Sequence, residues 1–260
     1  MPYRWLRLGL IVAALGMAGG ITAHAQTAPE RDAWSKTCQD GEDPEARITA
    51  CTALLSSGLE TRENEAILLV YRGMARAAKH EYEAALTDFD QAIGRDPDQE
   101  FAYFQAGLVY EELGQYDKAI RAYDNVLRLL PDDAPALNNR CWVRVLSFDP
   151  AWALPDCEAA LQLAPNDPDT LDSRGYALLL LGRLDEAVAS FTAAIAARAN
   201  QPTAFYGRAL AKMAVHRQAE AASDLAAARR IDPDIDSKLR RWGMSADNPP
   251  CLPPGTCPKQ

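Results

Sequence analysis

The chain has 260 residues, 48% of them hydrophobic and 24% charged, and carries a formal net charge of −9. That hydrophobic share supports folded structure rather than disorder. The acid excess argues against a nucleic-acid binder, which needs surplus Lys and Arg to meet phosphates, and against anionic membrane surfaces; it suits a basic partner, or solubility alone.

Residues 1–25 read as a secretory signal peptide. Arg4 and Arg7 give a positive start, 8–21 is an apolar run, and Ala23-His24-Ala25 sets small residues around a bulky one, so cleavage is expected after Ala25. The alternative, an uncleaved anchor, is disfavoured because the run is short and ends Gly-rich. No Cys follows it, and no later segment is long and apolar enough to span a bilayer, so no stable membrane anchor is expected after cleavage. Losing Arg4 and Arg7 would take the charge to −11. The six Cys remain as three local pairs, Cys38/Cys51, Cys141/Cys157 and Cys251/Cys257. Export would place them where disulfides persist, and the combination suggests a bacterial periplasm, with secretion as the alternative.

Residues 26–65 read as a degenerate helix pair forming an N-terminal cap. A short helix is expected around 33–39. A second starts with Asp43 as N-cap and Pro44 in the first turn, continues over 46–55 and stops at Gly58. From Ala66 the chain repeats every 34 residues: Ala85, Ala119, Ala153, Ala187 and Ala221 keep that step, as do Gly73, Gly107, Cys141, Gly175 and Ala209. Pro97, Pro131, Pro165 and Pro233 follow it too, with Ala199 in the gap. Such a period means stacked supersecondary units. The units are 66–99, 100–133, 134–167, 168–201 and 202–235. Each reads as two helices; in the second, Phe101, Tyr103, Phe104, Leu108 and Leu113 form one apolar pattern, broken at 114–117. Ala119, Ile120, Tyr123, Val126, Leu127 and Leu130 form the next, ended by Pro131. Counting positions from Ala66, small residues at the eighth and twentieth let the helices approach closely, and large ones at the twenty-fourth (Phe89, Tyr123, Phe191, Leu225) fill the space beside them. After Pro233, 235–242 reads as a helix within a 236–247 cap, and 248–260 as a Pro-rich irregular tail.

The set Gly107, Tyr110, Gly114, Tyr116, Ala119, Tyr123 and Pro131, with counterparts such as Gly73-Tyr82-Ala85-Phe89-Ala92-Pro97, resembles the tetratricopeptide repeat family over residues 66 to about 235. The resemblance implies an all-α fold, a right-handed superhelical solenoid of antiparallel helix pairs, with a concave groove that mostly mediates protein–protein contact. Departures fall in the third unit, where Cys141 and Cys157 replace a Gly and an aromatic and Pro150 and Pro155 make the second helix irregular at its start. Ala209 and Ala199 replace a Gly and a Pro elsewhere.

Two paired patterns run inside the frame. Arg fills the seventh position at Arg72, Arg140, Arg174 and Arg208, and Asp the twenty-third at Asp88, Asp156 and Asp224; the unit lacking the Arg (Ala106) also lacks the Asp (Ala122). The paired loss favours an Arg–Asp bridge between facing helices over an anion-binding Arg row. Cys141 and Cys157 replace a small and a large residue together, as two half-cystines at a close contact would; the loop of about 15 residues is worth roughly 3 kcal/mol. Cys38 and Cys51 are expected to tie the N-terminal helices, and Cys251 and Cys257 to close a small loop. No pair has the spacing of a redox motif or zinc knuckle.

No catalytic constellation, metal set or cofactor motif is found. His80 and His216 both fall at the fifteenth position, a turn, where other units have Gly114 and Gly182. The family resemblance places the first helix of each unit along the concave face, so the partner-binding residues expected are Phe101, Phe104, Leu108, Glu111, Asn138, Trp142, Asp172, Tyr176 and Tyr206. The alternative is that several pack between repeats instead. Asn138 and Asn139 lack the Lys of the family's carboxylate-gripping members, so an apolar segment, or one with a basic residue near Asp172 or Glu111, fits better. The expected function is a non-enzymatic exported scaffold or adaptor binding an envelope protein or peptide. The alternatives are a carrier or chaperone for an apolar ligand, and an assembly subunit working through its convex face or tail. The sequence leaves the oligomeric state open.

Overall fold

The computed structural model describes residues 27–247. These form thirteen helices and no strand: α1 (Ala28–Asp40), α2 (Pro44–Ser56), α3 (Arg62–Ala78), α4 (Tyr82–Arg95), α5 (Glu100–Glu112), α6 (Tyr116–Leu129), α7 (Ala134–Leu146), α8 (Pro150–Leu163), α9 (Pro168–Leu180), α10 (Leu184–Ala197), α11 (Pro202–Ala214), α12 (Gln218–Ile231) and α13 (Ile235–Arg241). Each helix packs on its chain neighbours, and the first helices of successive units also meet, as α7 with α9 and α9 with α11. The result is a solenoid of helix pairs. No described helix is long and apolar enough to cross a membrane. The signal-peptide assignment and the Cys251/Cys257 pair lie outside the described residues.

The helix pairs close on a repeated knob and hole. A Cβ placed on Gly73 would lie 2.5 Å from the Phe89 ring, one on Gly107 2.6 Å from Tyr123, and one on Gly175 2.5 Å from Phe191. Real Cβ contacts do not come that close, so the aromatic ring occupies the space a side chain would need. In the third unit the same contact is a disulfide, Cys141–Cys157, with Cα atoms 5.5 Å apart. Cys38–Cys51 joins α1 to α2 with Cα atoms 5.0 Å apart.

The turn between paired helices uses one conformation throughout. His80, Gly114, Phe148, Gly182 and His216 all have φ between +57° and +72°, the left-handed region that Gly enters freely and other residues only at a cost. The unit ends are also alike: Asp96, Leu130, Ala164 and Asp232, each before a Pro, have φ between −135° and −129° and ψ between 80° and 102°, and Arg198, which precedes Ala199, stays close to them (φ −142°, ψ 100°). Packing therefore holds this corner even where no Pro restricts it.

Several elements differ from the sequence expectation. α1 begins at Ala28, five residues before the expected start, because Thr27 and Glu30 form a capping box with Pro29 in the first turn. α3 begins at Arg62, where the Thr61 side chain caps Asn64 N at 3.2 Å. α8 is helical from Pro150 onward despite Pro155; the backbone bond lost at Pro155 frees the carbonyl of exposed Ala151, which water can satisfy. At the end of the chain α13 stops at Arg241, and Gly243 (φ +73°) turns 242–247 back over the array.

Candidate functional site

The Asp of the twenty-third position is the structural centre of three units. In the first, Asp88 is fully buried and accepts from Arg72 Nε (3.0 Å), Arg72 Nη2 (2.7 Å) and Arg76 Nη1 (2.7 Å). Asp156 receives Arg140 and Arg144 in the same way, and Asp224 receives Arg208 and Lys212. Burial alone would raise the pKa of Asp224, but its bonds to Arg208 and Lys212 leave it below the ordinary aspartate value. These guanidinium groups are therefore occupied and form no open anion site. Sequence reading missed the second cation. Arg76, Arg144 and Lys212 share the eleventh position and follow the Asp more closely than the seventh-position Arg does, because Arg174 is present where the twenty-third residue is Ser190.

The expected groove residues divide into four groups. Tyr176 and Tyr206 are fully buried and correct the expectation that they are groove anchors. The reason is their hydroxyls, which find partners on the next element. Tyr176 Oη donates to the Thr203 carbonyl at 2.8 Å, while Tyr206 Oη donates to Asp236 Oδ1 at 3.1 Å and accepts from Ala246 N at 3.0 Å. Phe104 and Leu108 are half-buried, Phe104 lying edge-on to Tyr123 with centroids 5.8 Å apart. Phe101 on α5 is 41% exposed.

The remaining four, Glu111, Asn138, Trp142 and Asp172, line one cavity of about 430 Å³. α5 supplies Glu111, α7 Asn138 and Trp142, and α9 Asp172; Gln201 just before α11 and Thr203 in its first turn add to them, and Trp242 comes from beyond α13. A second cavity of about 330 Å³ shares Asn138, Asn139 and Asp169 with the first. Trp142 is the middle of an aromatic run that leads from the core to this face. Phe191 and Tyr176 are 5.0 Å apart, Tyr176 and Trp142 5.6 Å, and Trp142 and Trp242 5.2 Å, all edge to face. Trp242, within the C-terminal cap read from the sequence, reaches back to α7 of the third unit. There Phe148 approaches the backbone of Gly243 so closely that a Cβ would lie 2.8 Å from its ring.

The cavity is acidic and short of cations. Its one lining cation, Arg198, is held by Asp169 through two bonds of 2.7 and 2.9 Å. Neither Glu111 nor Asp172 has an ion pair among the described residues. Asp172 is 7% exposed; its Oδ2 accepts from Thr203 Oγ1, and its Oδ1 is buried with no partner. Burial raises its pKa to about 7. Glu111 is also pushed up to about 7, by burial and then by neighbouring Glu112, with a bond from Trp142 opposing.

The sequence at 100–133 and at 168–201 matches models of the tetratricopeptide repeat, and these spans are two of the five units. A search of curated proteins found no match. Among solved structures, the protein YrrB, described as a TPR protein with an unusual peptide-binding site, is 26% identical at a TM-score of 0.56, over 73% of this chain and 98% of that one. MamA 41-end from Desulfovibrio magneticus RS-1 is 19% identical at a TM-score of 0.60, over 68% of this chain and 99% of that one. A tetratricopeptide repeat protein from Parabacteroides merdae is 18% identical at a TM-score of 0.66, over 84% of this chain and 82% of that one. At these low identities the last two speak for the fold.

Proposed function

Because the chain belongs to the tetratricopeptide repeat family, we propose that it is a non-enzymatic scaffold, exported to the periplasm, that binds an envelope protein or peptide on its concave face. The observation that carries this reading is the cavity between α5, α7, α9 and α11. Side chains from four successive units and from the C-terminal turn converge there around a partly buried acid-and-indole surface, and no titratable pair in it is placed as nucleophile and base. The peptide-binding description of YrrB supports the same use of this fold. The two disulfides support export, since such bonds persist outside the cytoplasm.

The mixed polar lining disfavours the apolar-ligand carrier, which would need a dry cavity. The assembly-subunit reading keeps one observation in its favour: Trp152 at the start of α8 is 66% exposed, and Phe148, four residues earlier, is exposed as well. Large exposed aromatics of this kind mark contact surfaces.

The test is photo-crosslinking in intact cells with a benzophenone amino acid at Phe101, at Trp152, and at Arg128 on α6. A discrete product formed only from Phe101 supports the concave-face reading. A product formed only from Trp152 transfers the working surface to α8. Equal capture from all three positions refutes a dedicated site.

A further inference from the structure

The cavity beside Trp142 has a particular imbalance. Three buried oxygens among its lining residues have no hydrogen-bond partner: Asp172 Oδ1, Asn138 Oδ1 and Gln201 Oε1. Above about pH 7, where Asp172 is ionised, all three are acceptors. Two belong to side chains that are more than nine-tenths buried, Asp172 at 7% and Gln201 at 6% exposed. Buried polar groups are nearly always paired, so orphan acceptors grouped around one opening are evidence for a donor that arrives from outside.

The local charge says which donor. Asp169 is satisfied by Arg198, while Asp172 is not matched by any cation. Glu111 borders a neighbouring concavity lined by Lys238 and Arg241, but Lys238 is bound to Asp232 at 2.6 Å. An anion would add to the excess of acid; a neutral amide would leave the ionised Asp172 carboxylate buried and unpaired. The two indoles of Trp142 and Trp242, edge to face at 5.2 Å, offer an apolar wall and π faces suited to an alkyl stem ending in a cation.

Resting on the peptide-binding reading above, we propose that this cavity is a basic-residue subsite, receiving a lysine or arginine side chain of an extended partner segment, its head at Asp172 Oδ1 and the flanking amide oxygens and its stem against Trp142 and Trp242. A side chain of a chain, rather than a free amine, is indicated by the adjoining cavity, which shares Asn138, Asn139 and Asp169 and offers a path for flanking residues.

The experiment is phage display, at pH 8 where Asp172 is ionised, of random twelve-residue peptides against the mature protein and its Asp172→Asn variant. The wild type is expected to enrich Lys or Arg at one fixed position. Asp172→Asn loses that enrichment by about tenfold or more, as for a charge-assisted bond, while keeping the preferences at neighbouring positions. A selected synthetic peptide with norleucine for the basic residue then binds the wild type about tenfold more weakly and the variant unchanged. Peptides retained without basic preference, or with a preference that Asp172→Asn leaves intact, overturn the subsite while the peptide-binding reading stands. No peptide retained above background overturns both. Spermidine binding more tightly than every selected peptide overturns the assignment to a partner side chain. Thermal melting checks the variant's fold; should Asp172→Asn unfold, Asn138→Ala, at a half-exposed position, replaces it and is expected to weaken the basic enrichment severalfold without abolishing it, an unchanged enrichment overturning the subsite.

Discussion

Truncating Asp88 to Ala would leave Arg72 and Arg76 facing each other across the space the carboxylate filled. Asp88 is fully buried and accepts three charged hydrogen bonds of 2.7 to 3.0 Å. Removing one member of a buried charged network costs about 3–5 kcal/mol. Both Arg side chains retain some exposure, 14% and 23%, so their heads can turn partly to water and the expected loss lies near 3 kcal/mol. The second unit shows what the contact needs when the charges are absent together: Ala106, Tyr110 and Ala122 occupy the seventh, eleventh and twenty-third positions. The triple change Arg72→Ala, Arg76→Tyr, Asp88→Ala copies that solution and is expected to cost less than the single Asp88→Ala. The assay is urea unfolding followed by far-UV circular dichroism, on the wild type, the single variant and the triple variant. A single variant within about 1 kcal/mol of wild type, or a triple variant less stable than the single, would show that the bridge is not what holds α3 to α4.

His216 sits at φ +61° in an exposed turn, so His216→Gly should raise the unfolding free energy by about 1 kcal/mol; a loss of stability in the same urea assay would contradict the strain argument. Replacing Cys141 and Cys157 together by Ser removes a disulfide that closes a 16-residue separation. It should cost about 3 kcal/mol, and thiol titration of the unfolded, non-reduced protein should find the wild-type pair oxidised. The pH dependence has a definite sign. Asp172 and Glu111, both held near 7, stay protonated in the native state while the unfolded chain ionises them from about pH 4. Stability should therefore fall as pH rises from about 4 to 7, by up to about 1.4 kcal/mol per pH unit for each group, and level off above. Asp224, held low, acts in the opposite sense and loses its contribution as the pH drops below about 4. Asp172→Asn should flatten the pH 4–7 slope; an unchanged slope would remove Asp172 from that account.

The period made most of the fold readable. A 34-residue step aligns the columns, and a column in which Gly73, Gly107 and Gly175 stand opposite Phe89, Tyr123 and Phe191 is the helix contact itself. The bridging Arg and Asp are readable by the same comparison; the eleventh-position cation is less so, because its column mixes Arg76, Arg144 and Lys212 with Tyr110 and Leu178. The groove was less legible. Position five holds Phe104, Asn138, Asp172 and Tyr206 in successive units, yet exposure within that column depends on what the following unit offers. Asp236 and the backbone of Ala246 draw Tyr206 inward because α13 follows, whereas Asn138 opens on the cavity. Trp242 lies outside every column, so no periodic argument could place it against Trp142.

A stack of repeats in which each unit touches only its neighbours can be lengthened or shortened at will. The contact between Trp242 and Trp142 removes that freedom. It fixes a chord between the end of the array and its third unit, and the chord has the correct length only for two intervening units. Inserting or deleting one unit between them would carry the indole past its partner and take away a wall of the cavity, even if every helix pair still formed. The number of repeats is thus part of the site's specification, and homologous arrays of other lengths cannot be expected to share its ligand.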